Sequence, residues 1–108
     1  MIFMYISGNF NTRDKLFQLF KQNIMLFNSF ESVYLFGSIL GNKKSPNDID
    51  LLLIYTEFSS KVSNELDIIN AVFNNLDELA IDITVLSVEE EKETKFIKRL
   101  NLNYLRLK

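Results

Sequence analysis

The 108 residues hold no Cys and no His, 12 Lys and Arg against 14 Asp and Glu, and 47% hydrophobic against 24% charged residues. Such a composition belongs to a folding chain and not to a disordered one, and the length predicts a single domain, 1–108, because two would leave neither half a core of its own. With Cys and His absent, disulfides, thiolate zinc sites, cysteine nucleophiles, Ser-His-Asp chemistry and imidazole ligands are excluded, and any metal must be a hard ion held by carboxylates, such as Mg2+ or Mn2+.

In chain order, the first predicted element is a helix. Thr12 can cap it, and Leu16, Phe17, Leu19, Phe20, Ile24 and Phe27 recur at helical spacing up to Asn28. Ser32-Val33-Tyr34-Leu35-Phe36 is short, apolar and β-prone and stops at Gly37-Ser38, which reads as a buried strand running into a turn. The stretch Gly41-Asn42-Lys43-Lys44-Ser45-Pro46-Asn47 is a loop by composition. It leads into Asp48-Ile49-Asp50 and the apolar run Leu51-Leu52-Leu53-Ile54-Tyr55, the pattern of a central strand covered on both faces.

Ser59 or Ser60 begins a second amphipathic helix carrying Val62, Leu66, Ile69, Val72, Phe73 and Leu76, and residues 80–86 read as a third strand. Ser87 then caps a last helix that runs from the acidic turn Glu89, Glu90, Glu91 to the basic end Lys95, Lys98, Arg99. The order predicts an α/β (α+β) fold, a small mixed three-stranded sheet packed with about four helices.

Three features carry chemistry. Asp48 and Asp50 stand two apart on a strand, so their side chains share a face at its polar beginning. Anions that close repel each other unless a cation lies between them; the alternative is a pair of solvated strand-end residues. Asp82 interrupts the apolar strand Ile81-Asp82-Ile83, where a carboxylate needs a partner: a metal shared with Asp48 and Asp50 if the two strands are neighbours, or a lysine or strand-end hydrogen bond otherwise. Three converging carboxylates are what a two-metal phosphoryl-transfer site requires. Gly37-Ser38, directly after a buried strand, allows a ligand close to the backbone, although a Gly-Ser pair is also an ordinary turn.

Leu35-Phe36-Gly37-Ser38, nine residues, then Asp48-Ile49-Asp50-Leu51 resembles the signature of the DNA polymerase β-type nucleotidyltransferase superfamily, and the size of the chain is similar to its minimal single-domain members. The resemblance implies that Gly37 and Ser38 hold the triphosphate of a nucleotide, ATP in the first instance. It also implies that Asp48, Asp50 and Asp82 are the catalytic residues and bind two Mg2+ (or Mn2+) ions, and that a nucleoside monophosphate passes to an acceptor hydroxyl. Many members carry an Arg-Gly pair where this chain has Leu40-Gly41; Lys43 and Lys44 in the same loop can meet the phosphates as point charges, or be a solvated pair. Minimal members often act as the antitoxin of a helical HEPN-class toxin, which makes such a protein an implied partner; a binding-only antitoxin or regulatory subunit is the alternative to an enzyme.

Residues 92–108 carry Lys92, Lys95, Lys98, Arg99, Arg106 and Lys108 against Glu93, either a cationic end that suits its helix dipole or a binding patch. The net charge of −2 argues against a general grip on nucleic acid. No apolar run approaches the ~18 residues of a membrane span, and a cytoplasmic protein is expected. Ten Phe, including Phe17, Phe20, Phe27 and Phe30, form either a Phe-rich core or an apolar patch for association.

Overall fold

A computed structural model of the chain describes residues 12–36, 48–74 and 80–108. Its elements are α1 (Thr12–Gln22), a 3₁₀ turn (Ile24–Phe27), β1 (Ser32–Phe36), β2 (Asp48–Tyr55), α2 (Ser60–Asn74), β3 (Ala80–Ser87), α3 (Val88–Thr94), α4 (Phe96–Arg99) and β4 (Tyr104–Arg106). The strands form one sheet in the order β3-β2-β1-β4, with β1 antiparallel to both neighbours and β2 parallel to β3 across the α2 connection.

The sheet therefore has four strands among the described residues, where the sequence predicts three. The added β4 is only three residues long and, among the described residues, pairs with β1 alone. So short an edge strand offers little of the periodicity by which strands are read. Leu105 and Leu107 pack on one side of it and Tyr104 on the other, an alternation that the cationic residues around it obscure.

Alternation along the strands builds two cores. On one face Val33, Leu35, Leu51 and Leu53 meet Leu19 and Phe20 of α1, Phe27 and Phe30, and Val62, Ile69, Val72 and Phe73 of α2. Phe27 is at the centre, completely buried, with Phe20 tilted against it at 4.7 Å and Phe73 edge-on at 6.0 Å. Phe20, Phe27 and Phe30 are thus core residues, as the first of the two readings had it. On the other face Tyr34, Leu52 and Ile54 are covered by Val88, Phe96 and Ile97 of the two short helices.

Two predicted helices are each broken once. The first ends at Gln22 and does not run to Asn28: the buried Asn23 donates to the Leu19 carbonyl from its side-chain amide at 2.9 Å and from its backbone N–H at 3.1 Å, and that backbone N–H is shared with the Phe20 carbonyl at 3.1 Å, where the ladder tightens from α-type to 3₁₀-type bonds. The tighter 3₁₀ turn that follows swings Phe27 into the core. The last helix is interrupted at Lys95, which has φ 53° and ψ 41°. Glu91 bridges the break by accepting a hydrogen bond from the Ile97 amide at 3.2 Å.

Other boundaries follow the expected capping chemistry. Ser59 caps α2, its hydroxyl accepting from the Val62 amide at 3.2 Å. Ser87 and Glu90 form a reciprocal capping box on α3, at 3.0 and 2.9 Å. None of the described helices is long and apolar enough to cross a membrane.

Candidate functional site

Cross-strand register decides what the sheet brings together. Asp50 is the Cα partner of Asp82 on β3 and of Phe36 on β1, and Phe36 is in turn the partner of Tyr104 on β4. In-register neighbours point to the same face, so Asp82, Asp50, Phe36 and Tyr104 form one row across the sheet. Asp48 lies two residues before Asp50, opposite Ala80. The condition that made Asp82 a candidate, that its strand should neighbour 48–55, is met.

The row lies at one end of the face that carries the smaller core. Behind it run Thr84, Leu52, Tyr34 and Arg106, then Leu86 and Ile54. Val88, Phe96 and Ile97 pack over these inner rows, whereas Asp82 is exposed. Asp50 is half-buried and has an interaction with its surroundings. Two carboxylates on adjacent strands, about 4.8 Å apart by strand spacing, thus share one face at the end of the sheet where β2 and β3 begin.

The aromatic half of the row is fixed by ring contacts. Phe36 meets Phe96 edge-to-face with centroids 5.5 Å apart, and Tyr104 meets Tyr34 at 5.4 Å and 80°. The guanidinium of Arg106 lies over the Tyr34 ring, 5.6 Å from its centroid.

Gly37, Ser38, Leu40, Lys43 and Lys44 lie outside the described residues, as does the side chain of Asp48. The segment that carries them begins directly after Phe36 and ends directly before Asp48, so both its ends are anchored at the carboxylate end of the sheet. Among the described residues no group of three or more acids is gathered closely enough to hold a metal; Asp50 and Asp82 are the two described members of the expected triad. Sequence reasoning missed Tyr104. The signal available for it was the alternation Tyr104-Leu105-Arg106-Leu107 after the turn-forming Asn101 and Asn103.

No protein-family model matches the chain, and no curated protein does. Among solved structures, a candidate nucleotidyltransferase from Sulfolobus solfataricus is similar with a TM-score of 0.51 and 20% identity, over 86% of this chain and 76% of that one. A mutant of the toxin-antitoxin MntA-HpeT gives a TM-score of 0.48 at 15% identity, covering 90% of this chain and 73% of that one. The first likeness is one of fold: the chain has the nucleotidyltransferase fold, with a mixed sheet and helices on both faces. The second is too loose to carry an argument.

Proposed function

We propose that this chain is a Mg2+-dependent nucleotidyltransferase that moves a nucleoside monophosphate, AMP from ATP, onto an acceptor hydroxyl of a protein or small molecule. The observation that carries the reading is the in-register pairing of Asp50 with Asp82, next to the strand end from which the Gly37-Ser38 segment departs. A spacing of motifs and a pairing of strands are independent, and both lead to one end of the sheet.

In this reading Asp48, Asp50 and Asp82 hold the metal ions. Their donor set fits: it is all oxygen, in a chain without His or Cys, which suits hard divalent cations. When bound, two such ions would offset phosphate charge and favour the ionised acceptor. The remaining work falls to the chain itself. Gly37 lets the triphosphate approach the backbone, Ser38 donates to a phosphate oxygen, and Lys43 and Lys44 supply positive charge. The acceptor oxygen bonds to the α-phosphorus, the bond from that phosphorus to the bridging oxygen breaks, pyrophosphate leaves, and the acceptor proton passes to water.

Leu40 favours a second reading, a fold retained by an antitoxin or regulatory subunit that acts by contact alone, since the site then lacks the arginine many relatives place there. In both readings a helical HEPN-class toxin is the proposed protein partner, on the strength of the motif resemblance. The deciding experiment is transfer of label from α-labelled ATP to a candidate partner with Mg2+ present. Label on the partner that disappears with Asp48→Asn establishes the enzyme. Binding of the partner without label, by wild type and variant alike, establishes the contact reading.

A further inference from the structure

We infer that Tyr104 is the platform on which the base of the bound nucleotide stacks, so that the short strand β4 sets base affinity while the carboxylates set phosphate chemistry. The inference rests on the nucleotide site proposed above. It starts from the row itself, in which two carboxylates on β3 and β2 are followed by two aromatics on β1 and β4 on the same face. From β2 to β4 is two strand spacings, about 10 Å. A nucleotide whose phosphates lie at Asp50 has its ribose over β1 and its base over β4.

The neighbouring rings are less well placed. Tyr34 is buried and its ring is overlaid by the guanidinium of Arg106, whereas Phe36, packed edge-to-face on Phe96 as Tyr104 is on Tyr34, lies only one strand spacing from Asp50, where the ribose falls and not the base. Tyr104 meets Tyr34 and no other ring among the described residues, is half-buried, and belongs to the strand at the sheet's margin. Its orientation is held from one side, which lowers the entropic cost of receiving a planar ligand. Toward the opposite margin the row offers, among the described residues, only Asp82, a carboxylate without a ring face on which a base can stack. The direction in which the nucleotide lies is therefore set by the order of the row.

Calorimetry on the full chain separates base from phosphate by comparing ATP with inorganic tripolyphosphate, both with Mg2+. Wild type is expected to bind ATP more tightly than tripolyphosphate. Y104L, which keeps apolar packing on Tyr34, is expected to lose about 5- to 150-fold in ATP affinity, the range of one base-aromatic stack, with tripolyphosphate affinity unchanged. Y104F is expected to bind ATP as wild type does. Because the chain has no Trp, Y104W supplies a sole indole whose emission is expected to change with ATP and not with tripolyphosphate. Equal affinities of wild type for the two ligands, unchanged ATP binding by Y104L, equal loss of both ligands by Y104L, or a silent Y104W each overturn the inference while leaving the phosphate site standing. Binding of neither ligand by wild type removes the site and the inference together.

Discussion

Asp50 and Asp82 are direct partners in the parallel ladder between β2 and β3, which sets two carboxylates on one face of adjacent strands. Asp82 is exposed, so its replacement by Asn removes charge without leaving a cavity. Asp82→Asn is expected to melt within about 0.5 kcal/mol of wild type and, under the proposed function, to retain most ATP affinity and lose transfer by about 1,000-fold or more, since a metal's stabilisation of a phosphoryl transition state amounts to several kcal/mol. Transfer assays beside binding isotherms check this. A variant that loses binding and transfer in equal proportion would show that Asp82 serves the ground state only.

Much of this arrangement was legible in the sequence, and the misses have physical causes. β1 and β2 were readable as short continuous apolar runs, α2 and β3 by apolar residues at the period of the element, and all four by a turn or cap beside them. The pairing of Asp50 with Asp82 was foreseen conditionally, because alternation places residues on faces but cannot say which strands are neighbours. The breaks at Asn23 and Lys95 were not legible. Both residues sit inside stretches whose apolar spacing continues past them, and what marks the breaks is backbone detail that spacing does not carry: a shared 3₁₀-type bond at Asn23 and a left-handed Lys95 bridged by Glu91. β4 escaped because its stability comes from β1, a strand more than sixty residues earlier, and not from anything within its own three residues.

Lys108 ties β4's far side to the larger core. Its ammonium donates to the carbonyls of Phe27 and Phe30, each at 2.6 Å, where the chain leaves the 3₁₀ turn. Lys108→Met keeps most of the apolar stem and removes both charge-assisted bonds. The expected cost is about 2 kcal/mol, given the part-exposed setting and ~1.5–3 kcal/mol for a hydrogen bond to a charged group. Urea titration measures it; a variant as stable as wild type would mean that water serves those carbonyls equally well.

Ser87 ends β3 and opens α3, so the capping box couples the strand that carries Asp82 to the helices over the inner rows. Ser87→Ala leaves the Glu90 amide without its partner and should destabilise the chain by about 1 kcal/mol. Ser87→Asp keeps an acceptor at the N-cap and should recover most of that loss. A stable Ser87→Ala chain would show that α3 is held by Val88 and its packing alone.

Leu102 tests backbone strain directly. Asn101 and Leu102 have φ of 51° and 69°, and the Asn103 amide donates to the Leu100 carbonyl at 2.9 Å, closing a tight turn between α4 and β4 with both central residues left-handed. A bulky residue is poorly suited to the second of these positions, and Leu102 recovers little by burial because it is 83% exposed. Replacing it with Gly relieves roughly 1–2 kcal/mol of left-handed strain and costs about 0.5–1 kcal/mol in unfolded-chain entropy, so strain relief wins by about 0.5–1 kcal/mol. Thermal melting should rise by about 2–4 °C, on the scale of 4 °C per kcal/mol for a domain of this size. Leu102→Ala is the control, since it deletes the exposed side chain but keeps the Cβ that causes the strain, and it should melt with wild type. If Ala and Gly raise the melting temperature equally, the side chain and not the backbone is at fault; if Gly lowers it, the entropy of the unfolded chain outweighs the strain at this turn.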